Sequence, residues 1–190
     1  MPVLVSRAVI PYRSDILSAT FTTVGAWSWD IPFWVRKIEV VLIGGGGAGE
    51  GMNVAGIWGE GGRGGQWQGA VFVRGEDIPN TATQITGTVG QGGVSTFGAG
   101  NPGQPTIAYV NGSPILTANG GRGGSASNLD TPGRSPGNFT FNGVTYIGGA
   151  QQDGQSSTGY APGGGGGGSR VSLTTGGMGG RGQAWIRAYQ

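Results

Sequence analysis

The hydrophobic positions of the chain alternate with polar ones over short runs, and glycine tracts separate these runs. Period-two alternation is typical of β-strands. Between residues 26 and 43, AWSWDIP places Trp27 and Trp29 on one face, and VRKIEVVLI follows after Pro32. The second run ends with apolar residues on both faces, which predicts a buried strand.

Further runs show the same alternation, and no segment keeps apolar residues at i, i+3, i+4 and i+7 without an intervening Gly or Pro. These runs are QWQGAVFVR, QITGTV, PTIAYVNGSPILTA, NFTFNGVTYI and GQAWIRAY. Two of them contain Asn-Gly, at 111–112 and 142–143, which favours tight hairpin turns. The sequence therefore predicts an all-β fold, an antiparallel sheet or sandwich frame with essentially no helix.

The buried strand runs into glycine at residues 39–51, EVVLIGGGGAGEG, with G-x-G-x-x-G spacing at Gly44, Gly46 and Gly49. A dinucleotide site with this spacing needs a helix that begins in the glycines. The continuation, EGMNVAGIWGEGGRGG, is too rich in glycine for a helix. No Lys-Ser/Thr pair follows a tract either, which excludes a P-loop. We therefore predict no bound cofactor.

Glycine supplies 45 of the 190 residues, far above a usual share of roughly 7%. The tracts lack the strict three-residue period of collagen. A flexible linker fits poorly, because six Trp, six Phe and five Tyr provide material for a core. Pairs of glycines separated by one side chain, most often Arg, recur in GEGGRGG, NGGRGG and GGMGGRG. This regularity indicates a defined conformation.

Polyproline II segments have three residues per turn and no internal hydrogen bonds, so they must bond laterally when buried. We predict that the glycine tracts pack side by side in this form; flexible loops remain the alternative. The scaffold glycines on this prediction include Gly44, Gly46, Gly49, Gly62, Gly121, Gly163, Gly166 and Gly180.

The charge content and the missing residue types limit the classes of function that this protein can have. Charged residues make up 11% of the chain, the formal net charge is +2, and there is no Cys or His. We therefore expect no nucleic-acid footprint, no metal site, no thiol or imidazole catalysis, and no enzyme. The N-terminus lacks a secretion signal and no window is apolar enough for a membrane helix, so we expect no membrane insertion. A glycan hydrolase using Glu50 and Asp153 is a less favoured alternative.

Some side chains in polar, glycine-bounded loops are candidate receptor or partner contacts. They are Trp58, Phe97, Tyr160, Asn53 and Asp153. Aromatics in such loops can stack on sugars or fill a partner's pocket, and packing onto the glycine scaffold is the equal alternative. Arg63 and Arg122 each lie in a GG-R-GG unit, and Arg181 lies in the similar GG-R-G. We expect them to be solvated or to cap glycine carbonyls, rather than to bind phosphate or acidic glycan.

The order of these features resembles a known family. The series TFTTVGAWSWDIP, IEVVLIGGGGAGEG, GEGGRGGQWQGAVFV, TVGQGG, ILTANGGRGG, PGGGGGG and GGRGQAWIRAY spans about residues 20–190. It resembles the glycine-rich domain of bacteriophage tail proteins, especially minor tail proteins of actinobacteriophages such as mycobacteriophages. It is also similar in texture to polyglycine adhesins of tail fibres in T-even-like phages.

The resemblance implies a non-enzymatic, homotrimeric virion protein at the tail tip or fibre, made in the host cytoplasm. Its implied partners are other tail-tip proteins and bacterial cell-envelope glycans, and a direct role in host attachment is a hypothesis. Residues 21–190 would form the glycine-rich β domain and residues 1–20 an arm that packs on neighbouring subunits. A glycine-rich ice-binding or glycan-binding module is the alternative from another class.

Overall fold

The computed structural model describes residues 16–52, 58–126 and 130–190, and within these ranges it contains ten β-strands and no helix. The strands are β1 Leu17–Phe21, β2 Gly25–Asp30, β3 Lys37–Ile43, β4 Trp67–Val73, β5 Gln84–Val89, β6 Thr106–Val110, β7 Ser113–Ala118, β8 Phe139–Phe141, β9 Val144–Tyr146 and β10 Gln183–Tyr189. The predicted all-β fold is confirmed. No membrane-spanning helix occurs in the described part of the chain.

Two four-stranded antiparallel sheets form the frame. The first sheet has the order β1-β10-β3-β4 and the second has the order β2-β5-β6-β7. Their facing sides share one hydrophobic core, to which the first sheet contributes Ile38, Leu42 and Ile186 and the second contributes Trp27 and Ile85. The alternation along each strand therefore places one face of each sheet inside a sandwich.

The outer face of the first sheet is also covered, which explains why β3 is apolar on both sides. Val41 and Ile43 are buried on this face beside their cross-strand partners Trp185 and Trp67. The two indole rings stack with centroids 5.5 Å apart. Phe139, from the β8–β9 hairpin, stacks on Trp67 at 5.6 Å. The hairpin thus forms a third layer.

Both Asn-Gly hairpins have the predicted turns. Asn111 and Gly112 have φ values of 50° and 79°, and Asn142 and Gly143 have 45° and 76°. Positive φ at both central residues is the requirement of a type I′ turn.

Strand β1 was not predicted; it is a largely exposed edge strand that pairs with β10. Residues 17–20 of the predicted arm thus lie in the first sheet, and residues 1–15 fall outside the described ranges.

The glycine tracts extend from the sheets as a bundle of parallel and antiparallel segments. Its central segment, residues 44–52, continues β3 and is buried throughout. Successive N–H groups of this segment donate to the carbonyl oxygens of three different neighbouring segments in turn. Gly44, Gly47 and Glu50 donate to residues 66, 63 and 60 of the first neighbour, and Gly45, Ala48 and Gly51 donate to residues 104, 101 and 98 of the second. Gly46, Gly49 and Met52 donate to residues 180, 177 and 174 of the third. A three-residue rotation is the repeat of polyproline II.

Three further segments run parallel to the central one and donate to its carbonyls, through Gly93 to Gly46, Gly121 to Gly45 and Gly166 to Gly47. We call these three parallel segments ascending; they are residues 90–94, 119–124 and 163–169. The three segments that run antiparallel to the central one are called descending; they are residues 59–66, 98–104 and 174–182. Bonds between neighbours close the six into a ring: Arg63 to Arg122, Gly103 to Gly121, Gln104 to Gln91, Gly179 to Gly93, Gly180 to Gly164 and Gly62 to Gly166.

The scaffold glycines named from the sequence occupy this bundle. Gly44, Gly46 and Gly49 lie in the central segment; Gly62, Gly121, Gly163, Gly166 and Gly180 lie in the ring. A Cβ atom at Gly47 would collide with the carbonyl oxygen of Arg122, and one at Gly46 with that of Gly164. The lateral hydrogen bonds hold the backbones too close for any side chain at these positions.

Gly47→Ala should therefore destabilise the fold by about 3 kcal/mol or more, since a backbone atom and not a flexible side chain must move. Gly98→Ala is the matched control, because a Cβ atom there has nothing within 4 Å, and it should change stability by less than about 0.5 kcal/mol. Urea unfolding of both variants measures the difference. Equal, small effects would show that the bundle is not close-packed.

Candidate functional site

The bundle has one end at the sheets and one far from them. The central segment contains nine residues, so at a rise of about 3.1 Å each it carries the chain roughly 28 Å beyond β3. We define the far end by Met52, Trp58 and the connections 95–98, 125–126 and 170–174, where the segments reverse direction. Loops from distant parts of the sequence converge there.

The far end exposes large apolar side chains. Phe97 is 56% exposed and Leu173 is 71% exposed, and Val171 and Trp58 are also exposed. The guanidinium of Arg170 lies over the Trp58 ring, 5.1 Å from its centroid. Exposed apolar groups clustered at one end of a protein are typical of a contact surface.

The predicted contact residues do not form one cluster. Trp58 and Phe97 both lie at the far end, where Gly51 donates to the carbonyl of Gly98. Asp153 lies on an outer segment beside the ring, exposed, and accepts a hydrogen bond of 2.7 Å from Gln151. Tyr160 is exposed near the sheets, since its carbonyl accepts from Gly164. Asn53 falls outside the described residues.

Sequence reasoning missed Leu173, Val171 and Arg170. They belong to SRVSLTTGG, a polar stretch bounded by glycine, like the loops that contain Trp58 and Phe97. The signal was present, but among apolar side chains only the aromatic ones were considered. Large aliphatic residues in glycine-bounded loops meet the same criterion.

A buried carboxylate joins two glycine segments below the far end. Glu60 is 2% exposed and forms ion pairs with Arg63 at 2.8 Å and with Arg122 at 3.3 Å. Its carboxylate also accepts the backbone N–H groups of Ser125 and Ala126. This one group therefore connects the segment 59–66 to the ascending segment 119–124 and to the connection that follows it.

The three arginines of the glycine tracts accordingly differ from one another. Arg181 donates to the carbonyl of Gly182, which is the expected capping of a glycine carbonyl. Arg63 and Arg122 instead pair with Glu60, an arrangement that the sequence analysis did not consider. Because Glu60 lies in a different tract from Arg122, only the packing of the segments brings them together.

The pKa of Glu60 reflects these contacts. Burial raises it, but the backbone hydrogen bonds from Ser125 and Ala126 and the charges of Arg122 and Arg63 outweigh burial, so that the pKa lies below its ordinary value of 4.5. Glu60 is thus ionised in the folded protein at neutral pH and stabilises the fold in that form.

The two acids of the glycan-hydrolase alternative lie on different segments of the bundle. Glu50 is buried in the central segment, and its carboxylate accepts the N–H of Glu60 at 3.0 Å. Asp153 is exposed beside Gln151. Over the ranges 16–52, 58–126 and 130–190, no three Asp or Glu residues lie close enough together to hold a metal ion.

Comparison with known proteins decides the family. A family model described as a glycine-rich domain matches residues 22–189. This protein belongs to the glycine-rich domain family. Two relatives of this family member are each called Gene 32 protein. The one from Mycobacterium phage L5 is 48% identical over 191 residues, covering 97% of this chain and 86% of its own; the one from Mycobacterium phage D29 is 45% identical over 188 residues, covering 92% and 84%.

These relatives confirm the phage origin expected from the resemblance. The glycine-rich domain protein is therefore phage-encoded and made in a bacterial host.

Glu60→Gln tests the buried ion pairs. Because the folded pKa of Glu60 lies below 4.5, its stabilising contribution is complete above pH 4.5 and is lost as pH falls through the folded pKa. The wild type should lose this contribution on acidification, whereas the variant should be less stable by about 2 kcal/mol at pH 7 and lack that part of the pH dependence.

Urea unfolding between pH 7 and pH 3 measures both effects. Glu76→Gln, at an exposed acid in the turn after β4, is the matched control and should follow the wild type. If Glu60→Gln keeps the full acid sensitivity of the wild type, the assignment of Glu60 is wrong.

Proposed function

We propose that this protein is a non-enzymatic structural component of a phage tail tip or tail fibre, and that the far end of its glycine bundle contributes to host attachment. The observation that carries the proposal is the bundle itself, which holds exposed Phe97, Val171 and Leu173 roughly 28 Å from the sheets. The mycobacteriophage relatives support the virion setting.

The physics of the bundle suits this role. Lateral backbone bonds, and not side-chain packing, fix the position of each segment. The connections at the far end can therefore carry almost any side chain without disturbing a core. A rigid support under substitutable loops is what an attachment protein needs, because ordering the loops in advance lowers the entropy lost on binding.

The opposite end of the sandwich supports a tail-facing role. Strand β1 begins and β10 ends there, since Leu17 pairs with Ala188. Phe33 is 81% exposed beside a cavity of about 290 Å³ that is lined also by Trp34, Arg36 and Arg74. We infer that contacts with neighbouring subunits of a homotrimer and with other tail-tip proteins lie at this end, with the part of the predicted arm that precedes β1 as the packing segment.

The test is a phage whose protein carries Phe97→Ser together with Leu173→Ser. We expect normal virion assembly and adsorption to the mycobacterial host slower by about tenfold, because two exposed contact side chains are lost. Ile147→Ser is the matched control, since Ile147 is exposed but follows β9 beside the sheets, and it should leave adsorption unchanged.

Antibody labelling of intact virions and the mass of the purified subunit complete the test. Label at one tail end and a trimer mass are expected. Absence of the protein from virions would overturn the structural role, and unchanged adsorption of the double variant would overturn the attachment role.

A further inference from the structure

One side of the glycine ring carries no further layer in the described ranges, except that residues 130–134 lie along one flank of the segment 59–66. The segments 59–66, 119–124, 98–104 and 90–94 lie side by side there, joined by the bonds from Gln66 to Asn119, from Gly103 to Gly121 and from Gln104 to Gln91. In a three-residue helix every third side chain points the same way, so this side carries its side chains in rows.

The row nearest the sheets consists of four exposed amides, Gln66, Asn119, Gln104 and Gln91. Three residues farther along, about 9 Å away, the next row contains Arg63, Arg122, Asn101 and Val94. We call these two rows the amide face. Asn119 donates to Gln66 at 3.4 Å, and among the described residues the side chains of Gln91 and Gln104 have no hydrogen-bond partner.

The chemistry of the amide face excludes most partner classes. A protein interface has an apolar core, whereas Val94 is the single apolar side chain in these two rows. A polyanion needs several unpaired positive charges, whereas Arg63 and Arg122 together have an excess of only one positive charge over Glu60. The other five side chains of the two rows are amides, which are neutral and both donate and accept hydrogen bonds.

We propose that the amide face is a binding surface for a neutral, hydroxyl-rich polysaccharide. Each sugar hydroxyl donates and accepts, as each amide does, so the two partners can satisfy one another along a row. The backbone beneath the rows is fixed by the ring, which limits the entropy lost on binding to that of the side chains.

This inference concerns a different surface from the far-end attachment site and does not require a tail location. The probe is the neutral polysaccharide fraction of mycobacterial cell walls, with heparin as the polyanionic comparison. Titration calorimetry should detect binding of the neutral fraction to the wild-type protein and none of heparin. Gln91→Ala combined with Gln104→Ala should weaken that binding at least about tenfold.

The matched control is Gln151→Ala combined with Gln155→Ala, two exposed amides on the outer segment at another side of the ring, and it should bind like the wild type. Both double variants should unfold at the wild-type urea midpoint, since all four side chains are exposed. The proposal is overturned if the wild type does not bind the neutral fraction or binds heparin more tightly. It is also overturned if the two double variants bind the neutral fraction equally tightly. A changed subunit mass in Gln91→Ala/Gln104→Ala would overturn it too, because the face would then be a contact between copies.

Discussion

A polyproline II segment cannot pair its own N–H and C=O groups, and the architecture of this protein follows from that constraint. Buried backbone groups need partners, so each segment must lie against others at hydrogen-bonding distance. At many positions only glycine permits that approach, as the collisions of a Cβ atom at Gly46 and Gly47 show. Since glycine also loses the most conformational entropy on folding, one such segment alone would not order. Six neighbours around residues 44–52 supply the compensating bonds.

The sandwich supplies the order in which the segments pack. Residues 174–182, 44–52 and 59–66 adjoin β10, β3 and β4, which are neighbours in the first sheet. The segments 90–94, 98–104 and 119–124 likewise adjoin β5, β6 and β7 of the second. Buried Thr106 lies at the junction of the layers, donating to the carbonyl of Ile43 and accepting from the N–H of Gly90. The segment 163–169 belongs to the third layer, with the β8–β9 hairpin. The bundle therefore continues the layers of the sandwich.

Much of this frame is predictable because it depends on local patterns. Alternation identifies β3 and β10, and Asn-Gly identifies both hairpins by the turn they require. Strand β1 escapes prediction because it is a short, largely exposed edge strand, although Ala19 and Phe21 of its alternating LSATF pack against the core. The position of a loop along the bundle cannot be predicted from the sequence either. Phe97 and Tyr160 have similar glycine-bounded surroundings in sequence, yet the first lies far from the sheets and the second close to them. The pairing of Glu60 with Arg122 depends on segment packing in the same way.

Amide hydrogen exchange of the central segment tests the lateral bonding of the glycines most directly. The N–H groups of Gly46 and Gly49 donate to Gly180 and Gly177 and are buried, so they should exchange only through global unfolding, as slowly as the amides of β3. That result would establish the tracts as a hydrogen-bonded bundle. Exchange as fast as that of an unstructured glycine linker would contradict it.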